Sequence, residues 1–143
     1  MPRKWVILLI LVCIALNGAG FIWRIFEPIP LYDEIAHFLT PFVLVAIVAE
    51  IIYRNGGDDE FFDTPRHAIV TGAVIGLVGA AGWEGIEMVL SAMGVPISNA
   101  LADSIFDVVL GVLGGAAGAY VADRFLDRIF GRSRLDSSRP RVR

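Results

Sequence analysis

Cysteine occurs once in the chain, at Cys13. It lies in the middle of an apolar run, so no intrachain disulfide can form, and the residue reads as a small apolar filler. Charge is scarce as well: 19% of the 143 residues are Asp, Glu, Lys or Arg. Lysine and arginine are missing altogether from residues 27–31 and 93–100. Before residue 124 there is no extended basic surface, which argues against nucleic acid as a partner. No serine or cysteine stands within sequence reach of a histidine that would activate it; Ser91 and Ser104 have no such neighbour. Nor is there length to spare for a soluble catalytic domain beside the apolar segments.

Apolar residues are what the chain has in excess. They make up 56% of it, with a mean hydropathy of +0.68, whereas a soluble domain carries about 45–50% even with glycine counted. A helix needs roughly 20 apolar residues to cross the hydrocarbon layer, and four such segments fit. The expected fold is therefore an all-α, integral membrane four-helix bundle. Its spans cover about residues 5–26, 31–53, 67–92 and 100–125, in one transmembrane domain of residues 1–126. Pro28 and Pro30 end the first helix, and Pro41 is expected to kink the second. Glu50 and Arg54 are spaced to pair along it. Residues 54–66 read as a solvated acidic loop, and Gly94 and Pro96 as a tight connection.

The first run has a second reading. Arg3 and Lys4, the apolar residues 6–16 and then Gly18, Ala19 and Gly20 resemble the three regions of a cleavable signal peptide. Apolar character continues through Phe21, Ile22 and Trp23, which favours a retained helix. From Arg124 onward seven arginines face only Asp127 and Asp136. This basic tail, residues 127–143, is expected to be disordered and to lie against anionic lipid headgroups. Positive charge at both ends places both termini in the cytoplasm. The expected location is the plasma membrane of a prokaryote, with the protein crossing it several times.

Against this apolar background three polar stretches stand out. Tyr32, Asp33, Glu34, Ile35, Ala36, His37 and Phe38 open the second helix, and Asp33 and His37 share a face one turn apart. Glu84 and Glu87 lie near the end of the third helix, and Asp103 and Asp107 near the start of the fourth. In an up-down bundle all six fall within ~12 Å of the outer ends, at one depth. Small residues align with them: Gly72, Gly76 and Ala80 run up to Glu84, and Gly111, Gly114 or Gly115, and Gly118 run down from Asp107. Gly72-x-x-x-Gly76 and Gly114-x-x-x-Gly118 have the spacing of close helix contacts, so the acids point into the bundle. Each residue also has a plainer reading. Asp33, His37 and Glu87 could face headgroups, and Asp103 could favour a helix N-terminus. Glu34 reads as a headgroup-facing residue, and His67 as an interfacial one at the other end of its helix.

Five carboxylates and one imidazole cannot all be charged at this depth without positive charge, and Arg24 is the nearest candidate. Either a divalent cation neutralises them or some stay protonated. Asp33, His37, Glu84, Asp103 and Asp107 are the candidate metal ligands, and Glu84 and Glu87 the candidate catalytic bases. Mixed carboxylate and imidazole donors suit Zn, Mn or Fe, and carboxylates with water suit Mg. No organic cofactor is indicated.

Tyr-Asp-x-x-x-His-Phe at 32–38, Glu-x-x-Glu at 84–87 and Asp-x-x-x-Asp at 103–107 followed by glycines resemble the YjdF-like family of small membrane proteins, itself distantly similar to VanZ-like proteins. Met88 stands where that family often has Trp, and Trp83 precedes Glu84 instead. The resemblance implies the grouping of the three stretches and no particular activity. Three function classes are open. One is a metal-dependent hydrolase or transferase acting on a lipid or other amphiphile. Another is a transporter or sensor of protons or metal ions. The third is a structural or accessory protein whose acids and histidine form an interhelical hydrogen-bond network. Under any of the three, the glycine seams could also join copies of the chain into a homo-oligomer.

Overall fold

A computed structural model describes residues 1–26, 28–54, 64–95, 97 and 100–130, with backbone alone at 53, 54 and 126–130. The helices are α1 (Arg3–Trp23), α2 (Tyr32–Arg54), α3 (Pro65–Ala92) and α4 (Leu101–Phe130). All four have the length and composition of membrane spans. Their observed bounds lie within about three residues of the expected spans at most ends; α4 runs further, to Phe130. The acidic loop over residues 55–63 and the tail over 131–143 lie outside the described residues.

The helix ends follow from local chemistry. Thr64 is extended and its Oγ1 accepts the His67 N–H at 3.2 Å, with Pro65 at the first helical position. At the other end of α3, Gly94 takes φ +89°, and the Val95 N–H reaches back to the Leu90 carbonyl at 3.0 Å. The helix α1 stops at Arg24, which is left-handed with φ 53° and bonds back to the Gly20 carbonyl. Pro41 lies inside α2. It has no N–H to give to the carbonyl four residues earlier, which belongs to His37.

The bundle is centred on α4. It packs along its length against both α2 and α3, while α1 leans on α2 and α2 barely meets α3. Two glycine seams make this possible, on two faces of α4. A methyl group at Gly72 or Gly76 would meet the carbonyl of Gly115 or Gly111, and one at Gly111 would meet Ala80. A methyl at Gly114 or Gly118 would meet the carbonyl of Phe38 or Phe42. The glycines therefore do not form one stripe. Gly111 and Gly115 serve α3, and Gly114 and Gly118 serve α2. Backbone contact of this kind drives association between helices that have no hydrophobic gain from lipid.

These contacts make α3 and α4 antiparallel, α2 and α4 parallel. The start of α2, the end of α3 and the start of α4 thus share one end of the bundle, called here the site end. At the opposite end Val45, Ala49, Ala68 and Ala119 form a core of small side chains. There Glu50 pairs with the amino group of Met1; the Arg54 side chain expected to meet it is outside the described residues. Beside this core Cys13 is buried with Val43 and Ile47. Large apolar side chains cover the outside of every helix, including Ile14, Val78, Met88 and Phe106. Such a belt would make a soluble protein aggregate; in a bilayer it is the lipid-facing surface.

Two hydrogen bonds clasp α1 to α2. Tyr32 donates its hydroxyl to the Leu16 carbonyl at 2.6 Å. Asn17 Nδ2 lies 2.9 Å from Thr40 Oγ1 and 2.8 Å from the Cys13 carbonyl. Each pairing gives a polar group in an apolar segment the partner that lipid cannot supply.

Candidate metal centre

The two seams meet just below the polar residues and set their positions. Ala80 packs on Gly111, and one turn further toward the site end stand Glu84 on α3 and Asp107 on α4. The carbonyl of Phe38 lies over Gly114, which brings its neighbour His37 to the same level. Close backbone approach is thus what lets three short polar groups from three helices converge.

His37 is the hub. Its Nε2 lies 3.3 Å from Asp33 Oδ1 and 4.0 Å from Asp107 Oδ2. Its Nδ1 faces the other way, 3.9 Å from Glu84 Oε1. The side chains of His37, Glu84 and Asp107 are 9%, 8% and 6% exposed, against 29% for Asp33. The cluster is therefore closed on the bundle side and open past Asp33. Glu84 Oε1 is fully buried with no hydrogen-bond partner. Native interiors leave few polar atoms in that condition.

Asp33, His37 and Asp107 each offer one ligand atom, all within 4.8 Å of one another. Ions such as Zn, with ligands at 2.0–2.2 Å, need neighbouring donors about 3.4 Å apart in a tetrahedral site. The His37–Asp33 spacing fits as it stands. Asp107 would close the remainder by a side-chain shift on the order of 1 Å. Two carboxylates and one neutral imidazole balance a divalent charge.

Of the other two expected ligands, Glu84 faces His37 Nδ1 and is not in this grouping, and Asp103 lies one turn beyond Asp107, exposed at the start of α4, outside it as well. Glu87 is buried and its Oε1 accepts the indole N–H of Trp83 at 2.8 Å. Arg24 is exposed. Among the described residues no lysine or arginine pairs with Asp33, Glu84 or Asp107. His67 is at the far end of α3.

Sequence reasoning passed over the partners that brace the site. Trp83 stands four residues before Glu87, a helical spacing that would have suggested the bond. Trp83 also meets Phe21 edge-on at 5.8 Å, and the contact continues through Phe26 to Tyr32. That aromatic run ties the end of α1 to the helices carrying the site, and only the folded chain brings its members together.

A family of predicted membrane proteins of the class DUF2238 matches residues 2–128. No curated protein and no solved structure matches the chain. The chain belongs to that family, whose description carries membrane residence and no activity.

Proposed function

We propose, for this member of a family of predicted membrane proteins, that the site end holds one divalent cation on Asp33, His37 and Asp107. One observation carries the reading. Three ligand atoms from two helices converge within 4.8 Å beside a buried carboxylate oxygen that has no hydrogen-bond partner. Acid and imidazole groups inside a membrane bundle are expensive and are kept for a purpose. A cation offsets their charge more completely than any described side chain does.

Three protein ligands leave coordination positions open toward Asp33, the exposed side of the cluster. There the cation would act as a Lewis acid on an oxygen of a bound amphiphile, or would lower the pKa of a bound water. Glu87, held by Trp83, is the candidate general base. The substrate class is a lipid headgroup or similar amphiphile entering from the outer leaflet, and the reaction class is hydrolysis or group transfer. The resemblance of residues 32–38, 84–87 and 103–107 to the YjdF-like family is in keeping with the grouping and leaves the chemistry to the site itself.

Transport is the weaker reading. Directly below the cluster the helices touch backbone to backbone at Gly76 and Gly111 and at Phe38 and Gly114. That favours a cup with access from one face over a path across the membrane.

Equilibrium dialysis of the full chain in lipid nanodiscs against Zn2+ and Mn2+ tests the proposal. The expected result is one ion per chain, lost in His37→Ala and in Asp107→Asn while the helical circular dichroism is unchanged. A folded wild-type protein that retains no ion overturns it. Catalysis is then read as ion-dependent conversion of co-reconstituted lipids, followed by mass spectrometry.

A further inference from the structure

We propose that Glu84 is a positioning residue that acts on the cation through His37 and is not itself a ligand. This rests on the metal reading above and adds a division of labour to it. The two ring nitrogens of His37 face different partners. Nε2 is turned to Asp33 and Asp107, and Nδ1 to Glu84. An imidazole that ligates through one nitrogen carries its proton on the other, and that N–H needs an acceptor. Glu84 Oε1 is the buried atom at that position, and it has no other hydrogen bond.

The 3.9 Å separation is too long for a hydrogen bond. With a cation held on the Asp33–Asp107 side of the ring, Glu84 would close the remaining distance to Nδ1 by a change of its own side-chain torsions. The result is a carboxylate–imidazole–cation chain crossing the helix bundle, from α3 through α2 to the ion shared with α4. It accounts for the depth of Glu84, which lies on the bundle side of His37, away from the exposed edge at Asp33. It also identifies the ligating nitrogen and fixes the donor set at two carboxylates and one imidazole. That set favours Zn, Mn or Fe over Ca, which prefers six to eight oxygen donors.

The chain has two histidines, His37 and His67, so nitrogen-15 spectra of histidine-labelled protein hold two imidazoles, and His67→Ala assigns them. With Zn2+ bound, His37 is expected to coordinate through Nε2 and to carry its proton on Nδ1. Glu84→Gln keeps shape and an acceptor oxygen but removes the charge. It is expected to lower Zn2+ affinity about 10–100-fold, with one ion per chain still bound at saturation and His37 still a ligand. Glu84→Leu, which tests the loss of any acceptor, is expected to lower affinity at least as far and to shift the His37 tautomer equilibrium. Coordination through Nδ1, or Glu84→Gln binding Zn2+ as tightly as wild type, overturns the inference while leaving the cation site standing. A loss of stoichiometric binding in Glu84→Gln overturns it too, since that is how a direct ligand behaves. Absence of Zn2+ from the wild-type protein instead removes the reading beneath it.

Discussion

Replacing Gly115 by alanine is a small change with a large expected effect. The added methyl would fall 2.8 Å from the Gly76 Cα and 3.1 Å from its nitrogen, and closer still to the Gly72 carbonyl. Ordinary contacts of a Cβ atom are 3.4–4 Å. Every atom it meets is backbone, so no side chain can rotate away and α3 must move off α4 by on the order of 1 Å. Overpacking of this kind costs about 1–3 kcal/mol. Alanine also favours helix over glycine by about 1 kcal/mol, which would blur the measurement taken alone. Gly82 on α3 supplies the control, because a methyl there meets nothing within 4 Å. The propensity gain is common to both variants, so the difference between Gly115→Ala and Gly82→Ala isolates the clash. Reversible unfolding in bicelles, followed by circular dichroism, should place Gly115→Ala about 1–3 kcal/mol below Gly82→Ala. Zn2+ affinity should fall alongside, since the same seam positions Glu84 and Asp107. Equal stability of the two variants would refute the seam and the positions it gives the site.

The remaining predictions concern the clasp and the donors. Tyr32→Phe removes the bond to Leu16, and Asn17→Leu the one to Thr40; each should cost about 0.6–1.7 kcal/mol in the same unfolding assay. Asp107→Asn, which removes a ligand, should abolish stoichiometric Zn2+ binding, whereas Asp103→Asn, one turn away and exposed, should stay close to wild type by calorimetry. Because carboxylates and imidazole bind a cation only without their protons, affinity should fall as pH falls. Calorimetry in buffers of different ionisation enthalpy should show protons released on binding.

The membrane class, the four helices and the depth shared by the polar stretches were legible because each rests on composition or on the 1.5 Å rise of a helix. The glycine repeats were legible as contacts but not as two contacts. Positions 114 and 115 are neighbours in sequence and 100° apart around α4, and which partner each meets depends on where α2 and α3 sit. For the same reason the six polar residues read as equal members of one cluster, while in the fold Asp103 lies a turn outside the ligand grouping and Glu87 also accepts a bond from Trp83. The clasp was hidden for another reason. Asn17 was visible as a polar break in an apolar run, but its partner Thr40 is 23 residues away, and no periodicity links them.

Pulsed electron paramagnetic resonance of Mn2+ bound to the full chain in bilayers tests the central claim most directly. The account predicts nitrogen coupling from a single imidazole, present in wild type and in His67→Ala and absent in His37→Ala. Bound Mn2+ without nitrogen coupling, or coupling that survives His37→Ala, would contradict it.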